Sequence, residues 1–139
     1  MKYLHTPHRT LRHIPVIPFI YLAGLFIVLL DIFTEIYHRI SFPLYGVRYI
    51  SRKQYIRIDR HRLKYLNPVQ KFNCVYCGYA NGVLQNIVRI VAETEIYWCG
   101  IKHEPSETFI PPTHHSGFIE YGNKEQYDKE YRSKKTRML

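Results

Sequence analysis

Three cysteines and one histidine in the second half of the chain have the spacing of metal ligands. Two residues separate Cys74 from Cys77 in "KFNCVYCGYANG", and three separate Cys99 from His103 in "YWCGIKHE". Two thiolates at this spacing can converge from one tight turn, and Cys3His is an ordinary donor set for structural zinc. The pattern therefore predicts a zinc site. The alternative is that the cysteines are reduced, buried small side chains and that His103 is an ordinary surface residue.

The residues around these donors resemble two known knuckles. "CVYCGY" looks like the first knuckle of rubredoxins and zinc ribbons, and "YWCG" looks like the second. Rubredoxins close their iron site with two further cysteines, whereas the last donor here is His103, so the resemblance implies zinc, with iron as the alternative. Together the two blocks also resemble a group of small uncharacterised bacterial membrane proteins, which implies a bacterial source and no function.

A long apolar run precedes the cysteines. The stretch "IPVIPFIYLAGLFIVLL", residues 14–30, has no charged residue. With the residues up to Phe33 it reaches about 20 residues, which matches the roughly 30 Å hydrocarbon core of a bilayer. We therefore predict a single transmembrane helix over 14–38. A cleaved signal peptide is disfavoured because no small-residue cleavage site follows the run, and the second alternative is a buried core helix.

Three ionisable residues follow the apolar run on one helical face. Asp31, Glu35 and His38 have the spacing i, i+4 and i+7, which places them together at the predicted membrane boundary. Glu35 and His38 have the spacing of di-iron ligands in helical bundles, but such sites need several helices. We therefore interpret this face as solvating the end of the helix, unless a partner supplies further ligands.

The chain is basic, with a formal charge of +9 from 20 Lys and Arg against 11 Asp and Glu. Many of the cations follow the apolar run: Arg48, Arg52, Lys53, Arg57, Arg60, Arg62 and Lys64. We expect this segment to face anionic lipid or an acidic partner. Nucleic acid is a weaker expectation, because no recognised binding motif is present. An odd number of cysteines favours reduced thiols, which predicts an inner-membrane protein with its metal module on the cytosolic side.

The remaining patterns define the predicted domains. A polar leader over 1–13 precedes the membrane helix, and a metal-binding module spans 45–104. In that module Ile56 and Ile58 alternate with polar residues as in a strand. An amphipathic helix follows, which we expect to pack on the knuckle or to lie on the membrane, and its apolar face consists of Leu84, Ile87, Val88 and Val91. An extended basic tail occupies 105–139.

Two adjacent histidines in the predicted tail, His114 and His115, are a further possible metal-binding pair. No carboxylate or thiol is suitably spaced in their vicinity. We therefore interpret them as exposed or interface residues.

The predicted fold class is thus membrane-anchored α+β, with one transmembrane helix, a small zinc-knuckle module and an extended tail. The common motifs of self-contained enzymes are absent from the sequence. We therefore expect an accessory or assembly subunit of a larger membrane complex, without its own enzymatic activity. The alternatives are a membrane-tethered electron-transfer module that uses iron, as a redox subunit of an enzyme complex, and a membrane-bound binder of anionic lipid or nucleic acid.

Overall fold

Four α-helices make up most of the chain in the computed structural model, which describes residues 9–137 and the side chains of residues 11–130. The α-helices are α1 (Arg9–His13), α2 (Ile17–Tyr45), α3 (Pro68–Trp98) and α4 (Lys124–Arg137). Short 3-10 helices lie at Ile14–Val16, Arg52–Gln54, Arg60–Arg62 and Thr113–Gly117. The chain is 70% helical and has no strand among the described residues. The predicted α+β class is therefore wrong.

The strand predicted around Ile56 and Ile58 is an irregular linker between α2 and α3. A strand needs a neighbour to satisfy its backbone N–H and C=O groups, and the described residues offer no second strand. The linker instead forms short-range bonds, such as that from the Ile56 amide to the Arg52 carbonyl at 3.0 Å. The alternation of apolar and polar residues was misleading because no other described segment pairs with this one as a strand.

The zinc knuckle predicted at Cys74 and Cys77 is also wrong, because both residues lie inside the continuous helix α3. The start of α3 is a reciprocal cap. The Gln70 amide donates to Asn67 Oδ1 at 2.9 Å, and the Asn67 amide donates to Gln70 Oε1 at 3.0 Å. Pro68 begins the helix, where its missing N–H costs nothing. A spacing of i, i+3 fits a helix as well as it fits a turn.

The predicted apolar face of α3 is largely exposed within the chain. Leu84, Val88 and Val91 are exposed, and contact of this face with the membrane stays a prediction. The buried side chains in this part of α3 are Val83, Asn86 and Ile90. The linker decides which face is covered, because its backbone passes directly over Gly82.

The apolar N-terminal helix is confirmed. Among the described residues, the segment Leu11–Tyr45 is long and apolar enough to cross a membrane, and 6% of its most apolar window is buried. Such low burial excludes the core-helix alternative within this chain. Helix α2 ends beyond the predicted residue 38, at Tyr45, and the next residue, Gly46, has φ +69°. There the Val47 amide donates to the Phe42 carbonyl at 2.9 Å, a Schellman-type ending that favours glycine.

The extended tail is wrong as well, because residues after 105 contain the 3-10 helix Thr113–Gly117 and helix α4. Asn123 caps α4, since its side-chain oxygen accepts the Gln126 amide at 3.0 Å. Of the predicted leader, residues 1–8 lie outside the described residues, and Arg9–His13 form α1.

The chain divides after Ile90 into two compact units. In the first unit α2 and the beginning of α3 meet where Gly24 lies against the ring of Tyr76. The Tyr76 hydroxyl donates to the Ile20 carbonyl at 2.9 Å. In the second unit the end of α3 precedes an isolated parallel bridge between Ile101 and Ile119.

Candidate metal centre

Three metal-ligand side chains converge in the second unit. Glu95, His103 and His115 each offer one donor atom, and these atoms lie within 4.8 Å of one another. His115 is buried, Glu95 is half-buried and His103 is exposed. This group can hold a metal ion.

The end of α3, the segment after it and a 3-10 helix bring these donors together. Glu95 occupies the last turn of α3, and Gly100, with φ +71°, reverses the chain directly after it. The Lys102 amide then donates to the Ile119 carbonyl at 2.8 Å, which places the segment carrying His103 beside the segment that follows His115. The 3-10 helix Thr113–Gly117 carries His115 itself.

Two histidines bind the Glu95 carboxylate. His114 Nε2 lies 2.8 Å from one carboxylate oxygen, and His115 Nε2 lies 3.1 Å from the other. The hydrogen bond from His114 is the largest influence that holds the pKa of Glu95 below its ordinary value, and the bond from His115 adds to it against the effect of burial. Glu95 is therefore ionised near neutral pH, which is the form that binds metals.

His115 has a ring nitrogen without a partner. Its side chain is 3% exposed and stacks on Phe118 at a centroid distance of 4.7 Å. Because an ionised carboxylate only accepts, Nε2 carries the proton donated to Glu95. Nδ1 then holds a buried lone pair with no hydrogen-bond partner within the described part of the chain. A buried, unsatisfied acceptor is costly, and a bound cation would remove that cost.

The donor set matches known metal chemistry. Two histidines and one glutamate form the protein ligands of several catalytic zinc sites, and two histidines with one carboxylate also bind non-haem Fe(II). Donor atoms of a tetrahedral zinc site lie about 3.3 Å apart, given bonds of about 2.0–2.1 Å. The donor atoms of Glu95, His103 and His115 lie within 4.8 Å of one another, so small side-chain rotations would bring them to this separation.

Of the four sequence-predicted ligands, only His103 belongs to this group. Cys74 is half-buried and Cys77 exposed on α3, while Cys99 is exposed just after its end. All three cysteines are free thiols. Metal binding by these thiols stays a prediction.

The face formed by Asp31, Glu35 and His38 contacts cations that the chain itself provides. Asp31 accepts hydrogen bonds from Arg52 at 2.6 Å and from the Tyr79 hydroxyl at 2.7 Å. Burial and the bond to Asp31 raise the pKa of Tyr79 to about 12, so its hydroxyl remains a donor. Arg52 also lies 3.5 Å from Glu35. Arg39 binds Glu35 as well, at 2.6 Å, so two arginines neutralise the two carboxylates and leave little attraction for a metal ion.

His38 is fully buried beside this pair of carboxylates. Its Nε2 accepts the backbone amide of Ile50 at 3.1 Å, and its ring stacks on Tyr49 and meets the edge of Phe42. The neutral ring therefore carries its proton on Nδ1. His38 links the end of α2 to the beginning of the linker.

The basic segment divides into one inward residue and several exposed ones. Arg52 turns inward to the carboxylates of α2. Arg57 pairs with the exposed Asp59 at 2.8 Å. The other predicted basic residues are exposed: Arg48, Lys53, Arg60, Arg62 and Lys64. The contact of this segment with lipid or a partner stays a prediction.

Glu95 and His115 are the metal-binding candidates that the sequence analysis missed. His115 was interpreted as exposed because no carboxylate lies near it in sequence. Glu95 is 20 residues away and reaches it only through the chain reversal at Gly100. The usable signal was the repetition of histidines after a helix that has Glu95 in its last turn and Gly100 just beyond its end.

No known protein family, curated protein or solved structure matches this chain. The geometry of the described residues therefore carries the functional interpretation.

Proposed function

We propose that this chain is a membrane-anchored metal-binding protein whose Glu95, His103 and His115 hold one zinc ion. The convergence of these three donors within 4.8 Å is the observation that carries the proposal. Imidazole and carboxylate donors together suit zinc, because its filled d shell imposes no preferred coordination geometry. Fe(II) is the alternative metal for the same donors.

The apolar segment Leu11–Tyr45 supports the membrane anchor. We place the protein in a bacterial inner membrane, as a single-pass protein with its metal-binding unit on the cytosolic side. The three free thiols are compatible with that reducing compartment.

Replacing Glu95 with glutamine tests the metal centre. The full-length wild type, extracted in mild detergent, is expected to contain about one zinc per chain, as in other three-donor sites with a bound water. Glu95→Gln keeps the shape but removes the anionic donor, so its zinc content should fall to near zero. Elemental analysis measures both, and circular dichroism checks that the helices remain.

Cys77→Ser provides the matched control, because Cys77 is exposed and outside the donor group. Its metal content should equal that of the wild type. Loss of metal from Cys77→Ser with retention in Glu95→Gln would contradict the proposed centre and favour the thiol ligands. Iron with a thiolate absorption band would support the electron-transfer alternative.

We also propose that the chain is an accessory subunit of a larger membrane complex. Helix α2 has a row of exposed apolar residues spaced by four: Ile32, Ile36, Ile40 and Leu44. The candidate span has 35 residues and is about 50 Å long, against about 30 Å of hydrocarbon. Part of its apolar surface therefore extends past the lipid, which favours contact with another protein.

Substituting this row tests the accessory role. The wild type, extracted gently from native membranes, should migrate on a native gel as a particle larger than one chain in a micelle. Joint replacement of Ile36 and Ile40 by glutamine should shift it to the smaller size, whereas Lys53→Gln on the exposed linker should not. A wild-type particle of single-chain size would contradict this role.

A further inference from the structure

A cavity of about 430 Å³ lies beside the candidate metal centre. Two of the three donors, His103 and His115, are part of its wall. The remaining wall includes Lys102, Ser106, Phe109, Pro111, Pro112 and Glu120. Prolines have a fixed φ, so this wall is stiffer than an ordinary loop.

The number of donors leaves room for a further ligand. Structural zinc sites are closed by four protein ligands, whereas sites with three keep a fourth position for water or substrate. Among the described residues the converging group has three members. His114 lies next to this group and bonds to the Glu95 carboxylate, but it is not one of the converging donors. The fourth position of the metal would therefore face the cavity that His103 and His115 line.

The charges around the cavity favour an anion of single charge. Lys102 forms an ion pair with Glu120 at the cavity wall. The positive charges of a divalent metal and Lys102 exceed the negative charges of Glu95 and Glu120 by one. One negative charge on the ligand would balance this excess, and Lys102 can exchange its exposed partner Glu120 for the ligand.

The lining of the cavity favours a ligand with an apolar organic part over an inorganic ion. Phe109, whose ring lies 5.3 Å from the ring of His103, and the prolines supply an apolar surface. A ligand pocket typically combines such a surface with a few fixed polar groups. A molecule with an apolar body and one oxyanion group would use both.

We propose that the open position of the metal and Lys102 together bind the carboxylate of a small organic monoanion within this cavity. One carboxylate oxygen would bind the metal and the other would accept from the Lys102 ammonium, while the organic body packs on Phe109 and the prolines. This inference rests on the proposed metal centre.

Cobalt substitution tests the open position on the full-length protein in detergent. Co²⁺ bound by two histidines and a carboxylate has visible absorption bands that change when its fourth ligand changes. Benzoate is the probe, and benzamide is its uncharged control. We expect benzoate to change the Co²⁺ spectrum saturably at millimolar concentrations and benzamide to leave it unchanged. Lys102→Met should weaken benzoate binding about tenfold, since it removes one charge-assisted hydrogen bond.

Each other result would count against the inference in a different way. If Co²⁺ binds and benzoate leaves the spectrum unchanged, the position is closed and the inference fails while the metal centre stands. If inorganic phosphate binds more tightly than benzoate, the selection of a monoanion with an apolar body is wrong. If Co²⁺ does not bind, the metal centre and this inference fail together. The wild-type comparison of benzoate with benzamide decides the outcome even if Lys102→Met does not fold.

Discussion

Replacing Arg52 with methionine is expected to destabilise the first unit by about 3 kcal/mol. The guanidinium lies 2.6 Å from Asp31 and 3.5 Å from Glu35, and Asp31 is 6% exposed. Removal of the cation leaves a buried carboxylate whose remaining partner is the Tyr79 hydroxyl. The value lies at the low end of the range for broken buried ion pairs, because 30% of the Arg52 side chain is exposed. Denaturant unfolding in detergent, followed by circular dichroism, measures it.

Two further variants separate charge from packing. Arg57→Met removes an arginine that is 86% exposed and paired with an exposed aspartate, so we expect a change within about 0.5 kcal/mol. Adding Asp31→Asn to Arg52→Met should restore about 1 kcal/mol or more, because the unpaired charge is removed. An Arg52→Met variant as stable as Arg57→Met would show that the buried pair does not hold the linker on α2.

Replacing Gly82 with alanine is expected to destabilise the first unit by about 2 kcal/mol. A Cβ atom at this position would lie 2.7 Å from Ile56 Cα and 2.8 Å from the Tyr55 carbonyl oxygen. Both neighbours are backbone atoms, so the linker must move away from α3. Helix propensity alone predicts the opposite sign, a gain of up to about 1 kcal/mol. The midpoint of thermal unfolding in detergent therefore distinguishes the two effects by direction.

Gly117→Ala is the matched control for crowding. A Cβ there has open space, with no atom within 4 Å. Its unfolding midpoint should stay close to that of the wild type. If Gly82→Ala proves more stable than the wild type, the linker does not pack against α3 at this residue.

The apolar helix could be predicted from the sequence because its signal is local. An uncharged run long enough to span a bilayer has few alternative structures, and residues 14–30 supply one. The end of the helix was misplaced because apolar residues continue beyond Asp31, and the capping by Gly46 decides where α2 stops.

The local structure around the cysteines was predicted wrongly because the same spacing occurs in a knuckle and in a helix. Cys74 and Cys77 lie three apart, which fits both a knuckle and a helix. Asn67, Pro68 and Gln70 form a helix start, and the residue types for it are visible in the sequence. Local capping chemistry would have resolved the choice.

The candidate metal centre could be predicted only in part, because its donors are distant in sequence. His103 was predicted from its spacing to Cys99. Its neighbours Glu95 and His115 come from the end of a helix and from a separate 3-10 turn. A backbone bridge and a glycine reversal bring these segments together, and neither creates a periodic pattern.

The pairing of Arg52 with Asp31 has a consequence for the order of biosynthesis. The arginine lies 21 residues after its aspartate, so α2 leaves the ribosome before Arg52 does. In the proposed membrane-anchored protein, the nascent helix therefore meets the membrane while Asp31 and Glu35 still lack Arg52. The carboxylates resist entry into lipid at this stage, which holds the C-terminal end of α2 at the surface. Release of the linker from the ribosome then supplies Arg52, and the neutralised end can pack against α3.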